Sequence, residues 1–153
     1  MNLVTGATGH IGNVLVRELA ARGNAVRAMV MPGEDRSSLE GLPVEIVEAN
    51  ILDRSALDQV MRGVEVVYHL AAVISILPGK DEAVRRINIE GTHNVVQAAR
   101  AAGVRRLLYA SSIHALSRTA HSGYIDESVP FDPQNPFGEY DRSKAAASLE
   151  VMD

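Results

Sequence analysis

Leu3-Val4-Thr5-Gly6-Ala7-Thr8-Gly9-His10-Ile11-Gly12 decides how this chain is read. A short apolar start runs into three glycines spaced G-x-x-G-x-x-G. From Ile11 the apolar positions Ile11, Val14, Leu15 and Leu19 take helical spacing. A strand, a glycine loop and a helix are therefore expected in that order. Gly6 supplies a tight turn where a Cβ is unwelcome. Gly9 lets backbone approach a pyrophosphate, and Gly12 lets the helix pack against the strand. The helix N-terminus presents N–H groups, those of His10 and Ile11, and a positive dipole end to phosphate. The spacing departs from the G-x-G-x-x-G dinucleotide fingerprint, so the flanking strand and helix carry the assignment against an ordinary glycine turn.

Outward from this loop, strands and helices alternate. Gly23 closes the first helix as a C-cap. Val26–Met31 reads as a strand, and Pro32-Gly33-Glu34-Asp35 as a turn. Val44–Val47 is a short strand, and Asp53 is the N-cap of a helix over Ser55–Met61. Val64–Leu70 is Val-rich and nearly continuous, as buried parallel strands are. A long helix is expected over Asp81–Ala102, then a strand over Arg105–Ala110. Ser111–Gly138 is turn-rich, and a loop of that length is usually functional. A last helix starts near Tyr140. The pattern implies βαβ units and a doubly wound parallel sheet of Rossmann type.

Composition narrows the class. The 153 residues suit one domain. Fifteen Lys and Arg against nineteen Asp and Glu give a net charge of −4 with no basic run, which argues against nucleic acid as a partner. With no cysteine, disulfide scaffolds and Cys-based zinc sites are excluded. The apolar stretch 64–77 is interrupted by Glu65, His69 and Ser75 and is short of the ~20 residues a membrane helix needs. A soluble, cytoplasmic domain without a metal site is expected.

The end of the second strand is where the ribose is read: an acid suits NAD, and Arg suits the 2′-phosphate of NADP. Val30-Met31 carries no acid, and Arg36 follows a few residues on. The cofactor is therefore NADP or NAD with a lean to NADP, Arg36 being the phosphate clamp. Glu34 and Asp35 beside it count against that lean.

Tyr140 and Lys144 stand at i, i+4 and share a helix face. A free phenol has a pKa of ~10, too high for acid–base work at neutral pH, and a neighbouring ammonium favours the phenolate. Ser111 and Ser112 end the fifth strand, at the carboxyl edge where open α/β sheets bind ligands. A hydroxyl there is suited to holding a substrate oxygen.

Together these segments resemble the extended short-chain dehydrogenase/reductase superfamily, of the NAD-dependent epimerase/dehydratase type. The resemblance covers essentially the whole chain. Thr5 to Gly12 matches the glycine motif, with Thr8 inside it. Asn50-Ile51-Leu52-Asp53 resembles the adenine-contacting segment, with Asn50 where Asp is usual. His69-Leu70-Ala71-Ala72 resembles the segment flanking the cofactor after the fourth strand. Asn88 matches the Asn of the proton relay, Tyr109-Ala110-Ser111-Ser112 the strand with the catalytic Ser, and Tyr140 to Lys144 the motif Y-x-x-x-K. Ser112 is chosen over Ser111 as the Ser just before the turn. Val26 to Val30 resembles dihydroflavonol reductase-like and 3β-hydroxysteroid dehydrogenase-like members, which often carry Arg where this chain has Met31.

The resemblance implies hydride transfer between a nicotinamide and a carbinol or carbonyl carbon of a small molecule: a nucleotide sugar, or a steroid-like or flavonoid-like compound. Tyr140 would exchange a proton with the substrate oxygen. Lys144 would favour the phenolate and bind the nicotinamide ribose. Ser112 would orient the oxygen, and Asn88 would support a water relay. A homodimer through helices 81–102 and 140–153 is expected by the same resemblance. It also reads residues 1–153 as the dinucleotide-binding part, ending within the Tyr140 helix before a C-terminal substrate-binding part. The alternatives are a non-catalytic dinucleotide-binding regulatory or scaffold protein and a catalytically incomplete fragment. His69 and His93 read as packing or capping residues, His114 as a candidate for the substrate pocket, His121 as a loop residue, and Arg105-Arg106 as a solvated strand entry.

Overall fold

The computed structural model describes residues 1–74, 81–118 and 124–153. His121 lies outside these, as do residues 75–77 of the apolar stretch. The chain divides into two compact units, one of residues 1–72 and 94–110, the other of residues 73–93 and 111–153.

The first unit holds a five-stranded parallel sheet in the order β3-β2-β1-β4-β5. The strands are β1 (Asn2–Thr5), β2 (Val26–Val30), β3 (Glu45–Glu48), β4 (Val66–His69) and β5 (Arg106–Tyr109). In register, Thr5 stands opposite both Met29 and His69. The strand order reverses between β1 and β4, the topological switch at which α/β sheets bind ligands. Leu3 and Val4 are both fully buried, so successive side chains of β1 bury on opposite faces of the sheet. On one face Val4, Ala28 and Val30 pack with Val16 of α1 (His10–Ala21) and with Leu39. Leu39 closes a 3-10 turn over Ser37–Leu39 that the sequence reading did not contain. Helix α2 (Arg54–Val60) begins as expected, with the Asp53 carboxylate accepting from the Ala56 N–H at 3.0 Å.

The join between β1 and α1 is sterically specified. Gly6 has φ +66°, and a Cβ there would lie 2.9 Å from the Ala71 nitrogen. A Cβ on Gly12 would lie 2.1 Å from the Gly6 carbonyl oxygen. The helix therefore enters against the loop backbone itself, closer than any side chain permits.

In the second unit the expected long helix starts as α3 (Asp81–Arg85) and continues through a π-helical turn, Arg86–Glu90. It resumes as α4 (Gly91–Ala101), which carries the chain on to residue 101. One residue is thus inserted into a pattern that reads as uninterrupted helix. Helix α5 (Glu139–Met152) packs small residues, Ala145, Ala147 and Ser148, into the interior. Between them, Ile113–Ala115 forms a 3-10 turn, and Leu116 pairs with Phe131 in an antiparallel bridge. No helix among the described residues is long and apolar enough to cross a membrane.

Gly12→Ala is expected to cost about 1–3 kcal/mol or more, because backbone cannot yield as a flexible side chain does. Urea unfolding checks this: the midpoint should fall with the slope unchanged. A wild-type midpoint would refute the steric account.

Candidate functional site

In the first unit the glycine loop lies at the carboxyl end of β1. Gly9 is the N-cap of α1, and no side chain caps that helix. The first-turn N–H groups of His10 and Ile11 therefore face outward with the positive end of the dipole. Gly9, His10 and Ile11 are all exposed. An exposed, uncapped helix start behind a loop too tight for side chains fits a pyrophosphate.

Thr5 ties this loop to the segment after β4. Its Oγ1 accepts the Leu70 N–H at 3.2 Å and the Ala71 N–H at 3.1 Å, and lies 2.8 Å from His69 Nδ1. A hydroxyl has two acceptor sites and one proton. With both acceptor sites filled, Thr5 donates to His69, whose Nδ1 is unprotonated. His69 is buried and stacks at a tilt on Tyr109, centroids 5.5 Å apart. Leu70 and Ala71 are half-buried and Ala72 exposed along the mouth of the loop.

Other expected cofactor contacts have local partners. Asn50 Oδ1 accepts the Leu52 N–H at 2.9 Å in a turn. Ile51 is buried, and its carbonyl accepts from Asn94 Nδ2 at 3.1 Å. Arg36 pairs with Glu48 at 3.3 Å, both half-exposed.

Glu34 is the residue that reading the strand end missed. Met31-Pro32-Gly33-Glu34 closes with a Glu34 N–H to Met31 carbonyl bond of 3.0 Å and φ +76° at Gly33, the geometry of a type II turn. The turn folds the Glu34 carboxylate back to the end of β2. There it accepts the Met31 N–H at 2.9 Å and the Thr8 hydroxyl at 2.5 Å. An acid thus stands at the second strand beside the glycine loop, although Val30-Met31 holds none. The signal was in the sequence: Pro-Gly brings the following residue back onto the preceding one.

The second unit assembles the remaining candidates. Lys144 is 2% exposed on α5, one turn beyond half-buried Tyr140. Burial pulls its ammonium down to about 8, because desolvation penalises the charged form. Asn88, fully enclosed in the π-helical turn, accepts the Val73 N–H at 2.8 Å through Oδ1. Its Nδ2 donates to the Val73 carbonyl at 3.0 Å and to Ser143 Oγ at 3.0 Å. Ser143 in turn donates to the Tyr140 carbonyl at 2.8 Å. A buried polar chain therefore runs from Asn88 to the backbone of Tyr140, with Ser143 as a link no motif announced.

The two serines differ. Ser148 donates to the Lys144 carbonyl at 2.7 Å, so in its 2.6 Å contact with Ser111 the proton comes from Ser111. Ser111 thus anchors α5. Ser112 accepts the His114 N–H at 3.2 Å, a bond that leaves its own O–H as a donor. His114 stands at the edge of the Tyr140 ring, centroids 6.4 Å apart. His93 pairs on the surface with Glu150 at 2.8 Å.

The family model described as "NAD dependent epimerase/dehydratase family" matches residues 2–152. Sterol demethylase protein B of Methylococcus capsulatus is 40% identical over 150 residues, covering 98% of this chain and 45% of the relative. A putative dihydroflavonol 4-reductase of Synechocystis is 35% identical over 149 residues, covering 97% and 43%. The crystal structure of a short-chain dehydrogenase/reductase superfamily protein from Agrobacterium tumefaciens with bound NAD superposes with a TM-score of 0.81. It is 32% identical and covers 99% of this chain and 44% of that one. The chain thus spans less than half the length of the relatives it matches. Its matched span, and the glycine loop and Tyr140/Lys144 helix within it, make the chain a member of the NAD-dependent epimerase/dehydratase family.

Proposed function

We propose that this chain binds NAD at its glycine loop and supplies the proton-handling residues of a dehydrogenase, reductase or epimerase/dehydratase. The observation that carries the reading is the buried ammonium of Lys144 one turn from Tyr140. A buried charge is costly, and a helix packed for structure alone has no use for it. An ammonium one turn from a phenol is suited to steadying the charge that develops as a proton passes between the phenol and a substrate oxygen. This argues against a purely structural role for the helix.

When bound, the nicotinamide supplies the hydride chemistry. The chain's residues divide the remaining work. His10 and Ile11 offer N–H groups to the pyrophosphate, and Gly9 permits the approach. Ser112 donates to the substrate oxygen and Tyr140 moves its proton. Asn88 holds the backbone of Tyr140 through Ser143. Substrates are small molecules with a carbinol or carbonyl carbon. Exposed Leu149 and Met152 on α5 give a homodimer through that helix an apolar surface to use.

For the cofactor, the proposal is NAD over NADP. The lean to NADP rested on Arg36, which pairs with Glu48, while the charge bonded to the glycine loop is the carboxylate of Glu34. A carboxylate there accepts from a ribose hydroxyl and repels a 2′-phosphate.

Calorimetric titration is expected to show NAD binding about tenfold or more tighter than NADP, and Glu34→Gln narrowing that ratio. Tighter NADP, or a ratio untouched by the substitution, refutes the Glu34 assignment; a folded chain that binds neither refutes the proposal.

The depressed ammonium also predicts a pH effect. Burial lowers Lys144 from the ordinary lysine value of 10.5 to about 8 on folding. Its destabilisation is full below pH 8 and is relieved as pH rises toward 10.5. Lys144→Met is therefore expected to gain stability relative to wild type at neutral pH, by an amount on the order of 3 kcal/mol before repacking. Urea unfolding across this range should show the gain shrinking as pH rises, and a constant difference would contradict it.

A further inference from the structure

Residues 31–38 are exposed without interruption, between the buried end of β2 and the fully buried Leu39. Exposed segments of this kind are ordinarily mobile. This one is fastened at both ends. At its start the Glu34 carboxylate accepts the Thr8 hydroxyl and the Met31 N–H. At its far end the Ser38 carbonyl accepts from Arg17 Nη2 at 2.5 Å and from Asn13 Nδ2 at 3.1 Å, which fills both of its lone pairs. Arg17 Nε donates to Asn13 Oδ1 at 2.9 Å, so the two clamping side chains also hold each other. Leu39 then enters the same apolar cluster as Val16, the neighbour of Arg17 on α1.

Asn13 and Arg17 stand one turn apart near the start of α1, and the Asn13 N–H donates to the Gly9 carbonyl at 2.8 Å. The clamp therefore grows from the helix start that is proposed to hold the pyrophosphate. In a dinucleotide, covalent bonds fix the reach from the pyrophosphate to the ribose 2′ position. A carboxylate that accepts from a 2′-hydroxyl and refuses a 2′-phosphate must be held in register with the phosphate site. The same carboxylate on a loose loop swings aside, and its charge then discriminates little.

We propose that Arg17 and Asn13 are positioning residues of dinucleotide selectivity. By clamping Ser38 they hold the Glu34 segment in register with α1, which turns the Glu34 charge into rejection of a 2′-phosphate. The inference rests on the reading of Glu34 as the ribose acceptor and adds the residues that make that carboxylate selective.

Two measurements on the full chain test it. The first needs no dinucleotide. Amide hydrogen exchange of Arg17→Met should show the Met31 N–H, which Glu34 holds, exchanging about tenfold or more faster, while the amides within β1 and β2 keep their wild-type rates. The second is calorimetric titration. Arg17→Met should narrow the ratio of NAD to NADP affinity by about threefold or more, chiefly through tighter NADP. Asn13→Ser should act in the same direction, and it decides alone should Arg17→Met fail to fold. In the Glu34→Gln background Arg17→Met should leave the ratio where it stands, because the group it positions is gone. Unchanged Met31 exchange, or exchange accelerated evenly across the sheet, overturns the inference. So does a ratio that Glu34→Gln narrows and the clamp variants do not. A selective loss of NADP affinity in Arg17→Met, the mark of an arginine that binds the phosphate itself, overturns it as well. These results leave the Glu34 reading standing, whereas a ratio untouched by Glu34→Gln overturns both.

Discussion

A side chain at position 12 would place its Cβ 2.1 Å from the Gly6 carbonyl oxygen. This steric condition governs the first unit. It lets α1 begin against the loop backbone, which leaves the helix N-terminus open at the end of β1. The reversal of strand order at β1 and β4 puts that opening at the switch point of the sheet. Thr5 completes the arrangement by holding the backbone of residues 70 and 71 across from the loop. The proposed anion site is thus a product of this close backbone approach, with no charged side chain required.

The second unit works by a different economy. Its interior encloses polar groups beside apolar ones: Asn88, Ser143, Lys144, Ser148 and Asp141 are all buried. Small residues on α5 allow close packing, and hydrogen bonds satisfy the polar groups that this packing encloses. The π-helical turn is part of the same arrangement. It interrupts the helix at the residue whose amide reaches Val73 and Ser143.

The strands, the Asp53 cap and the glycine loop were legible because each depends on local pattern. Alternation, capping chemistry and glycine spacing act within a few residues. The π-helical turn was not legible, since Val84, Ile87 and Val95 read as helix across it and the reason for the insertion lies at Val73 and Ser143. The Arg17–Ser38 clamp was hidden for the same reason, its partners being 21 residues apart. Glu34 is the instructive miss. Inspection of the strand end found no acid, while the Pro32-Gly33 turn two residues later delivers one to that place. Motif positions located Tyr140 and Lys144, but the burial that gives Lys144 its unusual proton affinity is a tertiary property.

The central claim is that Tyr140 is the proton-transferring group of a dinucleotide-dependent reaction. Turnover of Tyr140→Phe beside wild type, with NAD affinity measured in parallel, tests it most directly. The account predicts a fall in kcat of about 10²- to 10⁴-fold with NAD affinity retained. Near-wild-type turnover in the phenylalanine variant would contradict it.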